Sequence, residues 1–360
     1  MAGCFNKNYC LSACLALGLA FGPCCAQAED TSKNGAEPND QGYQLGNGFK
    51  VGESDLTLGG YASLEYSDLK DTKSDLAISH ASLFVSWESS TLPLQFFSEI
   101  DSQYQFANDT TDQNSQGDSG VSALALERFY LDYSFNDALT VRTGKFLTPF
   151  GRWNLIHADP LVWTTSRPLI TQDLFSDNAT GLMGYGNISW LGKSIDYALF
   201  GSPGGDPRRT VDQDEFTEAL GGHINFPLTE YTQAGFSYIN FSQRNGQDSH
   251  FQLFGIDLLW NYQENEIMAE YAYRRSSQGA AYKASGGYIQ GVHPLWGRLF
   301  GIIRIENMHD QGNGNSTHQG IVGLNFRQNR AISYKIEYQR NFSSTDMRPQ
   351  GVMSSISVLF

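Results

Sequence analysis

From Leu56 onward the chain alternates. Leu56, Leu58, Gly60, Ala62, Leu64 and Tyr66 take every second position against Thr57, Gly59, Tyr61, Ser63 and Glu65. The same period of two runs through 94–104, 253–262 and 332–339, and less cleanly through 283–294. Successive side chains of a strand point to opposite faces, so the pattern predicts long strands with one apolar and one polar face. Many of these segments reach ten residues or more, beyond the five or six usual in soluble sheets.

The breaks between segments alternate as well. Short ones fall at 89–91, 136–138, 191–193, 227–230, 263–264, 294–297 and 329; long ones fall near 67–75, 107–121, 147–179, 203–215, 242–249, 276–282, 309–316 and 343–349. Short turns at one end and long loops at the other are the pattern of an outer-membrane barrel. The segments number about 16, with 14 and 18 as the open alternatives. The expected fold is therefore all-β, a transmembrane antiparallel β-barrel over 54–360. The Trp, Leu, Phe and Ile content of its long third loop, 147–179, predicts that the loop folds inward, with a place over the rim or at subunit contacts as the alternative.

Two distributions support lipid on the apolar face. Trp87, Phe135, Trp190, Phe226, Trp260, Tyr262, Trp296, Phe326 and Phe360 all fall near the short-turn end, where amphipathic rings sit at headgroup depth. The charges in the outward phase, Glu127, Lys145, Glu218, Arg275 and Arg340, all fall towards the long-loop end. At the bilayer midplane an outward Lys or Arg costs about 2–4 kcal/mol, falling to near zero at the rim.

Composition narrows the function. Of 360 residues, 38 are acidic and 24 are Lys or Arg, an excess of acid that disfavours nucleic acid as a partner, because phosphates demand cations. The N-terminus reads as an export signal over 1–28: a lone charge at Lys7, an apolar run from Leu11 to Phe21, and a small-x-small site at Ala26, Gln27 and Ala28. All five cysteines lie inside it, so the exported part is expected to hold neither a disulfide nor a thiolate metal site. Residues 29–53 lack any period and read as a flexible periplasmic lead-in.

These residues resemble a Gram-negative outer-membrane porin over 54–360. The C-terminal strand alternates Ile356, Val358 and Phe360, similar to the signal that the barrel assembly machinery reads in that class. Gly144, Phe146, Pro149, Phe150 and Gly151 more narrowly resemble the Gly-x-Phe-x-x-Pro-Phe-Gly stretch of the phosphate-selective porins O and P. The resemblance implies an outer-membrane location, lipid and lipopolysaccharide as surroundings, a homotrimer as the assembly, and small polar solutes as cargo. No cofactor is expected.

A barrel of this size encloses a water-filled channel, and the expected function is passive diffusion of small hydrophilic solutes and ions. The inward phase holds eleven acids (Glu65, Glu88, Glu99, Asp101, Asp132, Asp196, Asp257, Glu266, Glu270, Glu306, Glu337) and seven bases (Arg128, Arg142, Arg274, Arg298, Arg304, Arg327, Lys335). That wall predicts weak cation preference or none, against the basic pore that the phosphate-selective resemblance implies. The constriction is expected at Arg152, His157, Asp159 and Arg167 of the long loop, with Glu99, Asp101, Arg128, Asp132 and Arg142 from neighbouring strands. Ordinary ion pairs along the wall are the plainer reading of these same residues. The open alternatives are a channel specific for an anion, phosphate, small organic acid or sugar, and an adhesion or binding barrel without a channel. An enzyme is disfavoured, since the seven histidines are scattered without nucleophile or metal-ligand spacing.

Overall fold

The computed structural model describes residues 46, 48–52, 54–70, 74–106, 121–156, 158–205, 215–244, 248–276, 283–311, 314–343 and 350–360. The expected signal, 1–28, and most of the expected lead-in lie outside the described residues.

A two-residue strand β1 (Phe49–Lys50) precedes sixteen long ones: β2 (Leu56–Leu69), β3 (Asp75–Glu88), β4 (Leu94–Phe106), β5 (Val121–Asn136), β6 (Leu139–Leu147), β7 (Asn178–Trp190), β8 (Lys193–Ser202) and β9 (Phe216–Pro227). The second half follows as β10 (Thr232–Arg244), β11 (Asp248–Tyr262), β12 (Asn265–Ser276), β13 (Lys283–Trp296), β14 (Leu299–Asp310), β15 (Asn315–Arg327), β16 (Ile332–Asn341) and β17 (Gly351–Leu359). Each long strand pairs antiparallel with its neighbours in sequence, and β17 closes the sheet on β2 from Gly351↔Leu69 to Leu359↔Tyr61. Closure leaves the sixteen strands without an open edge, the condition for a sheet to stand in hydrocarbon, where nothing else satisfies a backbone N–H or C=O. The expected count of 16 is the observed one.

The two faces separate as the period requires. Leu83, Leu182, Leu220, Phe236, Ile303 and Ile305 are exposed on the outside, while Tyr61, Glu99, Arg128, Asp132 and Glu337 are buried within. The ring girdle stands at the short-turn end, with Trp296 86% exposed there. Phe360 continues β17 by exchanging two backbone hydrogen bonds with Gly60, at 2.8 and 2.9 Å, and its ring lies where a side chain at 60 would stand.

Two expectations change. Glu127 and Lys145 are not exposed outward charges: they are 5% and 3% exposed. The register of β4 against β5 slips between Glu99 and Ile100, so Glu127 faces no partner residue there and instead accepts the Asn178 side-chain amide at 3.0 Å. A bulge inserts one residue and re-aims a side chain, which a strict period of two does not register. Glu218, Arg275 and Arg340 are exposed as expected. The other change lies at the end of the lead-in, where Phe49 and Lys50 pair with Leu58 and Thr57, a contact too short to leave any period.

Candidate functional site

The connection between β6 and β7 turns into the barrel and lies against its wall. Its neck is closed by the Thr148 N–H on the Asp177 carbonyl (2.7 Å), the Thr148 hydroxyl on the Ser176 carbonyl (2.7 Å) and the Asn154 amide on both the Thr148 and Asp177 carbonyls. Gly151 follows with φ +61° and donates its N–H to the Ser237 hydroxyl at 3.0 Å. A Cβ there would collide with the Glu270 carboxylate, so the turn inward requires glycine twice over, for its dihedral and for its lack of a side chain. Phe146 and Phe150 of the same segment are buried, Phe150 against Phe175 at 4.7 Å. The stretch 143–151 thus ends a strand and starts the inward loop.

Carboxylates of the wall hold the loop backbone. Glu270 Oε1 accepts the N–H groups of Arg152 (3.0 Å) and Trp153 (2.7 Å), and the Tyr288 hydroxyl donates to it at 2.8 Å. Glu337 accepts the N–H groups of Thr165 and Ser166, one per oxygen, each at 2.9 Å. Glu306 accepts that of Leu169, at the start of a five-residue helix (Leu169–Asp173), and Glu266 accepts the Trp163 indole N–H, both at 2.9 Å. Basic groups of the same wall take the loop carbonyls: Arg327 that of Leu161 (3.0 Å), Lys335 that of Asp159 (2.6 Å), Arg304 that of Ser166 (3.0 Å) and Arg274 that of Leu174 (3.0 Å). Arg327 also stacks on Trp163, 3.5 Å from a ring centre. Irregular backbone at membrane depth survives only where protein or water satisfies it, and here β12, β14, β15 and β16 supply both donors and acceptors.

The wall of β3–β7 carries a second layer. Phe84, Phe97 and Tyr130 stack in series at 5.8 and 5.4 Å, with the Arg128 guanidinium 4.5 Å above Phe97 and that of Arg142 3.6 Å above Tyr130. Arg128 Nε donates to Glu99 at 2.5 Å, and Arg142 forks onto both oxygens of Asp132 at 2.7 Å, where the Tyr185 hydroxyl also donates. Asp101 accepts the Ser82 hydroxyl (2.6 Å) and lies 2.8 Å from the His80 ring. Breaking one of these buried pairs leaves a charge without its partner, which costs about 3–5 kcal/mol. Arg142→Ala should therefore lower the barrel's unfolding free energy by about that much, read by denaturant titration in detergent, and Asp132→Ala added to it should restore part of the loss.

The structure distributes the candidate residues among separate pairs. Glu99 with Arg128, Asp132 with Arg142 and Asp101 with His80 stand on the wall. Arg152 reaches Asp257 on β11 and also Gln233 and Asn225, whereas Arg167 pairs with Asp177 within the loop at 2.8 Å. Burial raises the Asp177 carboxyl above its ordinary value, and Arg167 draws it the other way. Burial also works against ionised Asp159, but His80, Lys335, a Ser63 hydrogen bond and Arg167 together hold its carboxyl below the usual range. His157 lies outside the described residues. The residues that anchor the loop, Glu266, Glu270, Glu306 and Glu337, were legible only as inward acids; the even spacing along β12, β14 and β16 fixes their facing and says nothing of what they bind. Among the described residues no cluster of His, Cys, Asp and Glu is placed to hold a metal ion.

Comparison with known proteins places the fold. The chain is similar to the anion-selective porin from Comamonas acidovorans, with a TM-score of 0.62 over 86% of this chain and 100% of that one at 13% identity. It has the porin fold. The outer-membrane channel DcaP of Acinetobacter baumannii gives a TM-score of 0.55 over 87% of this chain and 99% of that one, at 13% identity. The trimer form of OmpT, an outer-membrane protein of Vibrio cholerae, gives 0.57 over 85% and 99%, at 8% identity. No protein-family model matches the chain. An uncharacterized protein of Aquifex aeolicus is 30% identical over 134 residues, 36% of this chain and 29% of that relative, so the match spans under a third of the relative's length.

Proposed function

We propose that this porin-fold barrel is a channel in the outer membrane of a Gram-negative bacterium, passing small hydrophilic solutes and ions by passive diffusion with weak cation preference or none. The observation that carries the reading is a closed wall, apolar outside and charged inside, with the inward loop narrowing the space it encloses. No source of energy is needed for solutes to move down their gradient.

The selectivity follows from how the interior charges pair. Arg128, Arg142, Arg152 and Arg167 each face a carboxylate, so their charge is cancelled locally. Glu266, Glu270 and Glu337 bond the neutral N–H groups of the loop instead of a base. Arg274, Arg327 and Lys335, which bond carbonyls, match these three in number, so the lean comes from the excess of inward acids, eleven against seven. A low-dielectric channel focuses what remains and favours the opposite ion. Planar-bilayer reversal potentials in a KCl gradient should fall near zero or on the potassium side; clear chloride selectivity would overturn the reading. Swelling of liposomes by small sugars distinguishes a channel from a sealed binding barrel. A homotrimer is proposed with it, supported by the trimeric Vibrio cholerae protein of the same fold.

A further inference from the structure

Where β7 leaves the inward loop, at the long-loop end of the wall, a cavity of about 10 Å³ is enclosed with the end of β8 and the start of β9. It has room for one water-sized sphere. Ser176, Asn178, Thr180, Ser202 and Glu215 form its polar lining, and every one of these side chains can present an oxygen. Ser176, Asn178 and Ser202 are buried, Asn178 to 5% exposure.

The protons of this lining are turned elsewhere. The Ser176 hydroxyl donates to the Asn178 carbonyl at 2.9 Å, and the Ser202 hydroxyl to the Thr180 carbonyl at 2.7 Å. The Asn178 amide donates to Glu127 at 3.0 Å. An ionised carboxylate only accepts, so that bond fixes Nδ2 on Glu127 and leaves Oδ1 for the cavity. Asn178 Oδ1 and Thr180 Oγ1 are shut off from solvent and have no hydrogen-bond partner among the described residues, a costly state for buried polar groups. Glu215 Oε1 is shut off from solvent with them. Lys145 stands opposite Thr180 in the register, but it and Glu127 offset one another electrostatically. Glu215 is then the charge of the cavity.

We infer that this cavity binds one calcium ion, with Asn178 Oδ1, the Glu215 carboxylate and Thr180 Oγ1 as ligands and the Ser176 and Ser202 oxygens beside them. Calcium takes its ligands from carboxylates, amide carbonyls and other neutral oxygens. One carboxylate among neutral oxygens is a different donor set from the His, Cys, Asp and Glu clusters that the described residues lack. A lone water fits less well. Among the lining side chains only the Thr180 hydroxyl has a proton left to give it, and water would leave the Glu215 charge unanswered. The ion has a place in the architecture as well. The Ser176 carbonyl accepts the Thr148 hydroxyl and the Asp177 carbonyl accepts the Thr148 N–H, so the residues that line the cavity also close the neck of the inward loop. Calcium there ties that neck to the start of β9 and steadies the loop that narrows the channel.

The full barrel, purified in detergent free of lipopolysaccharide and stripped of metal with a chelator, is titrated with calcium chloride by calorimetry. One ion per chain should bind with a dissociation constant of about 0.1–1 mM, the range of extracellular calcium modules. Glu215→Gln removes the charge and keeps the shape, and Thr180→Val removes one oxygen; each should weaken binding about tenfold or more. Magnesium gives up its waters reluctantly and demands a tighter octahedron, so it should bind more weakly. Amide hydrogen exchange over 174–182 should slow with calcium in the parent and not in E215Q. Both variants should migrate as closed, heat-modifiable barrels like the parent. No saturable calcium binding, binding unchanged in the folded variants, equal affinity for magnesium, or a water only in the cavity of crystals soaked in calcium would each overturn the inference. Reversal potentials and liposome swelling are measured in chelator, so a failed calcium result leaves the channel reading standing.

Discussion

Excising residues 155–170 and bridging the gap with a short Gly-Ser linker should raise single-channel conductance several-fold. The excised stretch contains Trp163, which packs on Phe300 at 5.0 Å, and the segment that Glu337, Arg304, Arg327 and Lys335 hold against the wall. Without it those side chains face an open lumen. Polar groups inside a barrel of this size have water to satisfy them, so the loss of their loop partners does not strand them in a dry interior. The sheet itself is untouched, because its strands pair with one another and not with the loop. Planar-bilayer recordings give the result directly. An unchanged conductance would mean that the loop does not set the width of the passage and would remove the constriction from the account above.

Replacing Glu270 with alanine should free the first part of the loop while leaving the barrel closed. Three donors converge on one oxygen: the N–H groups of Arg152 and Trp153 and the hydroxyl of Tyr288. Removing a shared acceptor costs about 1–3 kcal/mol for each buried donor left unmet. Trp153 and Tyr288 are buried, and Gly151 loses the carboxylate against which its turn is shaped. Trypsin cleavage after Arg152, slow in the parent, should become fast in E270A, and the recorded current should become noisier or larger. Glu270→Gln keeps one carbonyl oxygen as acceptor and should behave nearer to the parent. Equal protection of the loop in all three proteins would show that the other contacts suffice without Glu270.

Much of the architecture is legible in the sequence. The alternation at 56–66 names the face that meets lipid, since Leu58, Leu64 and Tyr66 are indeed the exposed side of β2. The two-residue turn at 263–264 and the long connection at 147–179 mark opposite ends of the barrel. Inward facing of Glu337 and Lys335 follows from counting by twos along β16, where both are buried. What resisted was anything that depends on one strand's offset against another. Glu127 reads as outward because the bulge opposite Glu99 leaves no trace in its own segment. Arg152 and Asp159 share a loop and are both expected at the constriction, yet Arg152 reaches Asp257, 105 residues away in sequence.

The chain alone determined a period of two, and with it which face of each strand is apolar; the alternation of short and long breaks determined the end at which the loops gather. Only the tertiary structure decided which charge meets which. Alternation is a local property, set by the geometry of each residue and its next neighbours. The pairing of Glu270 with the N–H of Trp153, or of Arg142 with Asp132, depends on register around the whole ring and on where a loop of some thirty residues comes to rest, and neither is written in any one segment.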